Sequence, residues 1–83
     1  MSYKIEYKSS VVRDLKKLDK GVAGRILDQL EMDLSENPDG GQPLTGQFKG
    51  LFKYRVGDYR IIYTRTVEGI LVLRIGHRSK VYR

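Results

Sequence analysis

The chain has 83 residues, enough for a single domain spanning 1-83, and an apolar fraction of 40% that favours a globular fold. It has no cysteine, one histidine and no run approaching the ~20 apolar residues of a membrane span, so we expect a cytoplasmic protein with no disulfide, metal, cofactor or membrane partner. The net charge of +6 points instead to a polyanionic partner.

The chain begins with a predicted strand and a first helix. Residues 2-8 alternate between apolar and charged side chains, as a half-buried strand does. Ser9 or Ser10 is the expected N-cap of the helix, because a serine oxygen can accept a bond from a free amide of the first turn. The helix is predicted to run to about Lys20, with Gly21 as its stop.

A second helix is predicted from about residue 22 to residue 36, antiparallel to the first. Its apolar stripe consists of Ile26, Leu27, Leu30 and Leu34. Its outer face is acidic and is interpreted as solvated surface, with Asp28, Glu31, Asp33 and Glu36. The segment 37-43, NPDGGQP, is predicted to be a loop because Pro and Gly interrupt both regular structures.

Three strands follow, over about 50-56, 59-66 and 69-76. Gly57-Asp58 joins the first two, and glycine at the first central position suits a type II′ turn. The order β-α-α-β-β-β predicts the α+β class, an antiparallel sheet with an N-terminal helical hairpin packed on one face. Whether the first strand lies at an edge or beside a later strand stays open.

The predicted hairpin separates its side chains into two faces. One is apolar and aromatic and is expected to cover the helices, with Phe52, Tyr54, Val56, Tyr59, Ile61 and Tyr63. On the other face the two-residue turn places Arg55 opposite Arg60, with Lys53 diagonal to one of them. Like charges across a strand pair destabilise it by about 0.2–1 kcal/mol. A polyanion would supply the missing negative charge, whereas the alternative is an ordinary wet face that serves solubility.

The excess positive charge lies entirely in the second half of the chain. Residues 1-42 hold 7 Lys/Arg and 8 Asp/Glu, a net of −1, and residues 43-83 hold 9 and 2, a net of +7. The end of the chain adds His77, Arg78, Lys80, Tyr82 and Arg83. If the last strand neighbours strand 59-66, these side chains emerge at one end of the basic face and join its cations.

The chemistry that fits these residues is metal-free cleavage of RNA. The chain lacks GxGxxG, GxxxxGK[ST], HExxH, a cysteine nucleophile and paired carboxylates in its basic half. When a 2′-hydroxyl attacks the neighbouring phosphorus, negative charge builds on the phosphoryl oxygens, and guanidinium groups bind such oxygens in pairs. Proton transfer could involve Lys53, His77 or Tyr82, and the choice among them stays open.

Two segments carry a family resemblance: PLTGQFKGLFKYRVGDYRIIYTR and, after it, IGHRSKVY. Their order and spacing resemble the RelE/ParE toxin superfamily, specifically its RelE-like branch, over essentially the whole chain. The resemblance implies a RelE-like fold and the toxin of a type II toxin–antitoxin pair. It further implies an mRNA interferase that enters the ribosomal A site and cuts mRNA without metal, with a cognate RelB-like antitoxin, the ribosome and mRNA as partners.

The family's basic positions fall on Lys53, Arg55, Arg60 and Arg78, and its catalytic tyrosine falls on Tyr82. With the reasoning from charge, the catalytic candidates are Lys53, Arg60, Arg78, Tyr82 and His77. The candidates for binding RNA phosphates are Arg55, Lys49, Lys80 and Arg83. Two other functions stay open: a ParE-like inhibitor of DNA gyrase, and a catalytically inert domain that binds RNA or an antitoxin.

Overall fold

A computed structural model describes residues 3-79. In chain order the elements are β1 (Lys4–Tyr7), α1 (Ser9–Lys16), α2 (Lys20–Leu34), β2 (Gln42–Pro43), a 3₁₀ helix (Gly46–Phe48), β3 (Leu51–Val56), β4 (Tyr59–Arg65) and β5 (Gly69–His77). The strands form one sheet in the order β1-β5-β4-β3-β2. The predicted α+β class is confirmed. Within the described residues, no helix combines the length and the apolar character needed to cross a membrane.

The sheet differs from the predicted antiparallel meander at both of its edges. At one edge β1 pairs with β5 in parallel, because the chain leaves β1 into the helices and returns to the sheet only after crossing its face. At the other edge β2 pairs with β3 through Gln42 and Pro43, inside the segment predicted to be loop. A strand of two residues beside Pro and Gly leaves no periodic signal in the sequence.

The boundary between the helices lies earlier than predicted. Helix α1 ends at Lys16 and α2 begins at Lys20, so Gly21 lies in the first turn of α2 and the prediction that it stops α1 was wrong. The reason is Asp19, whose carboxylate accepts a hydrogen bond from the Gly21 N–H at 3.0 Å. A side-chain oxygen at the N-cap satisfies a free amide and fixes the start of a helix.

The prediction of a serine N-cap for α1 was also wrong. The N-cap is Lys8, which makes no side-chain capping bond. The Ser10 hydroxyl instead donates to the Leu73 carbonyl on β5, at 2.7 Å. Helix α1 is therefore tied to the edge of β5 beyond the point where β1 ends.

Both helices lie on one face of the sheet, where the core forms. The buried cluster comprises Val11, Ile26, Leu30, Leu34, Ile61, Tyr63, Ile70, Val72 and Ile75. The predicted apolar face of the hairpin is confirmed, since Ile61 and Tyr63 belong to this cluster and the remaining four pack against it: Phe52, Tyr54, Val56 and Tyr59. Burial of such side chains is the main force that holds the layers together.

Two acids of α2 do more than face solvent, which corrects the interpretation of that helix. The Tyr7 hydroxyl donates to Glu31 at 2.6 Å, and the Tyr54 hydroxyl donates to Asp33, which also accepts a bond from Gln29 at 3.0 Å. The bonds from Tyr54 and Gln29 lower the pKa of Asp33. Burial, together with the bond to Asp33, raises the pKa of Tyr54 to about 12. These contacts join α2 to the sheet.

Candidate nucleic-acid interface

The hairpin of β3 and β4 has the register predicted from its turn. Gly57 has a φ of 59°, and within the described residues only glycines have positive φ, so Gly57 and Asp58 fit a type II′ turn. Arg55 lies directly opposite Arg60. The register shift of this sheet falls between β4 and β5 and leaves the two arginines facing each other.

Three cations project from the face of the sheet that is opposite the helices. Arg55 is exposed, whereas Lys53 and Arg60 are partly buried. Within residues 3-79 the ion pairs are made by other cations: Lys4, Arg65 and Arg74. The three cations of this face therefore have no acidic partner in the described part of the chain.

A cavity of about 280 Å³ lies beside these cations, lined by Gly40, Gln42, Lys53, Tyr54, Arg55 and Arg60. The Nε of Arg60 is buried and has no hydrogen-bond partner among the described residues. Buried polar atoms in native proteins are nearly always paired. Arg60 itself lines the cavity, and phosphate oxygens are acceptors that suit a guanidinium group.

On the β5 side, the residue paired with Arg60 places no side chain beside it. Its register partner on β5 is Gly76, which has no side chain. Arg78 is exposed and lies next to the hairpin turn, where its backbone N–H donates to the Asp58 carbonyl at 3.0 Å. The chain therefore leaves β5 beside the hairpin turn, whereas the expectation that the Arg78 side chain joins the cations of the basic face stays a prediction, since Arg78 is not among the residues that line the cavity.

His77 does not join the cations, and the expectation that it would was wrong. Its register partner is Tyr59, whose ring it meets edge-on with centroids 5.9 Å apart, and Tyr59 packs against the core. The cause is the register shift, which gives β5 one extra residue, Leu73. An inserted residue reverses which side chains face the core from that point onward. His77 consequently lies on the helical side of the sheet, with its Nδ1 3.0 Å from the Ser79 hydroxyl.

None of the remaining candidate site residues is among those that line this cavity in the described part of the chain. Lys49 is exposed directly after the 3₁₀ helix and is not among the lining residues. Lys80, Tyr82 and Arg83 lie outside the described residues.

Sequence reasoning missed the wall of the cavity formed by Gly40 and Gln42, since these residues belong to a segment predicted to be loop. The partner of Gln42 on β3 is Lys53. Knowledge of this pairing would have placed Gln42 beside the cavity, but no pattern in the sequence indicates it.

Comparisons with known proteins agree with this architecture. The model of the family described as "ParE toxin of type II toxin-antitoxin system, parDE" matches residues 5-82. Toxin RelG of Mycobacterium tuberculosis is 33% identical, covering 100% of this chain and 99% of RelG. Toxin RelE of the same organism is 31% identical, covering 98% of this chain and 87% of RelE.

A solved structure shows the same likeness in three dimensions. A chain of the toxin–antitoxin complex RelBE2 from Mycobacterium tuberculosis superposes with a TM-score of 0.86 at 30% identity, covering 96% of this chain and 95% of that one. The resemblance inferred from the sequence and the RelE-like α+β fold are therefore confirmed. The chain belongs to the ParE toxin family within the RelE-like superfamily, and it is the toxin of a type II toxin–antitoxin system.

Proposed function

We propose that this toxin is an endoribonuclease that cuts mRNA in the ribosomal A site, without a metal ion, and thereby stops translation. The observation that carries the proposal is that Lys53, Arg55 and Arg60 line one cavity and have no acidic partner among the described residues. A phosphodiester fits this site because its oxygens accept hydrogen bonds from guanidinium groups and compensate their charge.

The reaction needs positive charge where these side chains lie. The 2′-hydroxyl of one nucleotide attacks the adjacent phosphorus, the bond from phosphorus to the 5′-oxygen breaks, and the products are a 2′,3′-cyclic phosphate and a 5′-hydroxyl. Arg55 and Arg60 stabilise the negative charge that builds on the phosphoryl oxygens. A base takes the proton of the 2′-hydroxyl and an acid gives one to the leaving 5′-oxygen, roles for which Lys53 and Tyr82 are the candidates.

The partners follow from the family rather than from the cavity. A cognate RelB-like antitoxin is the proposed protein partner, because the solved relative is a chain of a toxin–antitoxin complex. The ribosome and its mRNA are the proposed targets, and the proposed location is accordingly the cytoplasm.

Inhibition of DNA gyrase is a second candidate, favoured by the match to the ParE family model. We rank it below the ribonuclease because three unpaired cations around one cavity suit a phosphodiester better than a protein target. A domain that binds RNA without cutting it would present the same cavity, and only a cleavage assay separates it from the enzyme.

Expression in bacterial cells, with mapping of mRNA 5′ ends, tests the proposal. We expect the wild type to arrest growth and to produce new 5′ ends inside ribosome-bound codons. Arg60→Ala and Arg78→Ala should each relieve the arrest, whereas Arg25→Ala, a control that removes an exposed arginine of α2, should keep it. Intact mRNA with gyrase-linked DNA breaks would instead support the second candidate. Full toxicity of the Arg60→Ala/Arg78→Ala double variant would refute the nuclease.

The absence of a metal requirement has its own test. Among residues 3-79, no three His, Asp or Glu side chains are grouped closely enough to hold a metal ion together. We propose that cleavage by the purified toxin continues in EDTA, provided that polyamines keep the ribosomes intact. Activity that disappears in EDTA and returns with a divalent cation would contradict this part of the proposal.

A further inference from the structure

Gln42 contributes a neutral amide to the cationic cavity. It lies directly opposite Lys53 in the β2–β3 pair, and side chains at paired positions project to the same face of a sheet. Both residues line the cavity together with Arg55 and Arg60. The Gln42 side chain is exposed and makes no hydrogen bond within the described part of the chain.

The core of the protein fixes the backbone next to Gln42. The Gly41 N–H donates to the hydroxyl of Tyr63 at 2.8 Å, and this hydroxyl donates to the Pro38 carbonyl at 3.0 Å. Tyr63, whose hydroxyl makes both bonds, is 0% exposed, so a residue of the core holds the backbone at Gly41 in place. A Cβ at Gly41 would lie 2.9 Å from the Lys53 carbonyl and 2.8 Å from the Tyr63 ring, closer than real contacts allow.

A fixed backbone with a free side chain is the arrangement that recognition requires. Side chains that read a ligand are effective when the chain that carries them cannot move. An exposed glutamine that served only solubility would need neither the buried tyrosine nor the tight glycine beside it. Gln47, exposed on the 3₁₀ helix and absent from the cavity wall, is such a glutamine.

The amide supplies what the cations lack. Lysine and arginine side chains hold phosphates, which are identical in every nucleotide, so they position RNA without distinguishing its sequence. A carboxamide carries both a donor and an acceptor, and its fit to a base edge depends on which base is present. Bases of single-stranded RNA expose these edges to proteins.

We propose that Gln42 reads the base next to the scissile phosphate and so determines which nucleotides the toxin cuts. The inference rests on the proposed ribonuclease function and adds to it the residue that sets specificity. Gln42 takes no part in proton transfer or charge stabilisation, and its removal changes selectivity rather than chemistry.

The test uses purified toxin and ribosomes programmed with a set of mRNAs that differ by one base in the A-site codon. Single-turnover cleavage rates give the ratio between the best and the worst base at each codon position. Gln42→Ala and the near-isosteric Gln42→Met should lower that ratio at one position by roughly tenfold, the discrimination that a hydrogen-bonded base contact provides. Gln47→Ala should leave every ratio unchanged, and thermal melts should show all the variants folded.

The outcomes separate this inference from the function on which it rests. A wild type that cuts selectively, with Gln42→Ala and Gln42→Met keeping the same ratios, overturns the role of Gln42 and leaves the ribonuclease intact. The role is equally overturned if both variants slow every codon by the same factor, or if the wild type cuts all codons at one rate. A wild type that cuts no ribosome-bound mRNA overturns the function and the inference together.

Discussion

The carboxylate of Asp14 in α1 accepts a hydrogen bond from the backbone N–H of Ile75 in β5, at 3.0 Å. The same carboxylate accepts bonds from Arg74 at 2.9 and 3.2 Å, and these bonds raise the pKa of that guanidinium. Beyond the end of β1, a helix side chain therefore takes the place of a strand partner. An unpaired strand edge otherwise presents free amides to any other chain.

Asp14→Ala should destabilise the fold more than its single hydrogen bond to the backbone suggests. The carboxylate is only 8% exposed, and its loss leaves the Ile75 N–H without a partner. We expect the free energy of unfolding to fall by about 2 kcal/mol, measured by urea denaturation. Asp28→Ala, which removes an exposed acid of α2, is the control and should change it by less than about 0.5 kcal/mol. Equal effects of the two variants would show that the edge contact contributes nothing.

Tyr54→Phe should remove a stabilisation that depends on pH at both ends of the scale. The folded chain lowers the pKa of Asp33, so the contribution of Asp33 is complete above about pH 4, near the unfolded value, and is lost as the pH falls through the folded one. It raises the pKa of Tyr54 to about 12, so that contribution is complete below the unfolded value of about 10 and is lost as the pH rises towards 12.

The difference in unfolding free energy between wild type and Tyr54→Phe should therefore be about 1 kcal/mol between roughly pH 5 and 9 and should shrink outside that window. Urea denaturation over a series of pH values measures it. Tyr3→Phe is the matched control, because the Tyr3 ring contacts Arg65 but its hydroxyl makes no bond among the described residues. A difference for Tyr54→Phe that stays constant from pH 2 to 12 would contradict the assignment.

Arg55→Glu should stabilise the free toxin while it abolishes the proposed RNA cleavage. The substitution replaces a repulsive pair with an attractive one opposite Arg60, and we expect a gain of roughly 0.5–1 kcal/mol in unfolding free energy at low salt. The same substitution in an Arg60→Ala background should give no gain, which isolates the pairwise effect from the change in net charge. An equal gain in both backgrounds would mean that the two side chains avoid each other in solution.

Gly41→Ala should displace Gly40 and Gln42, the two residues of the cavity wall that flank it in the chain. A side chain at this position collides with the Tyr63 ring, so the loop must move away from its anchor, and we expect a loss of about 1–3 kcal/mol. Gly24→Ala is the opposite case, because a Cβ there meets no atom within 4 Å inside α2, and it should add about 0.5–1 kcal/mol. Thermal melts of the two variants compare them directly. A Gly41→Ala variant as stable as the wild type would show that the loop is not held by Tyr63.

The sequence predicted the hairpin because its signals are local. Gly57 fixes the turn, the alternation fixes the faces, and together they determine that Arg55 meets Arg60. The apolar face of the hairpin, which packs with the core, followed from the same alternation. These relationships span few residues and involve no choice between distant partners.

The features that the sequence did not reveal depend on contacts between distant segments. The bond from Ile75 to Asp14 joins residues 61 positions apart, and neither residue type indicates it. The face of His77 was mistaken because Leu73 is an extra residue in β5, and no glycine or proline marks it. Gln42 was missed for a similar reason, since a strand of two residues exists only through its neighbour.

The facing arginines also determine how variants of this toxin should be sought. A library screened only for resistance to heat would enrich an acid at position 55 or at position 60. Either substitution replaces a repulsion between the two facing side chains with an attraction in the unliganded domain. The selected proteins would be more stable, but the surface proposed to bind RNA would have lost its positive charge. A search for a more stable variant of this toxin therefore has to measure toxicity and melting temperature together in each round of selection.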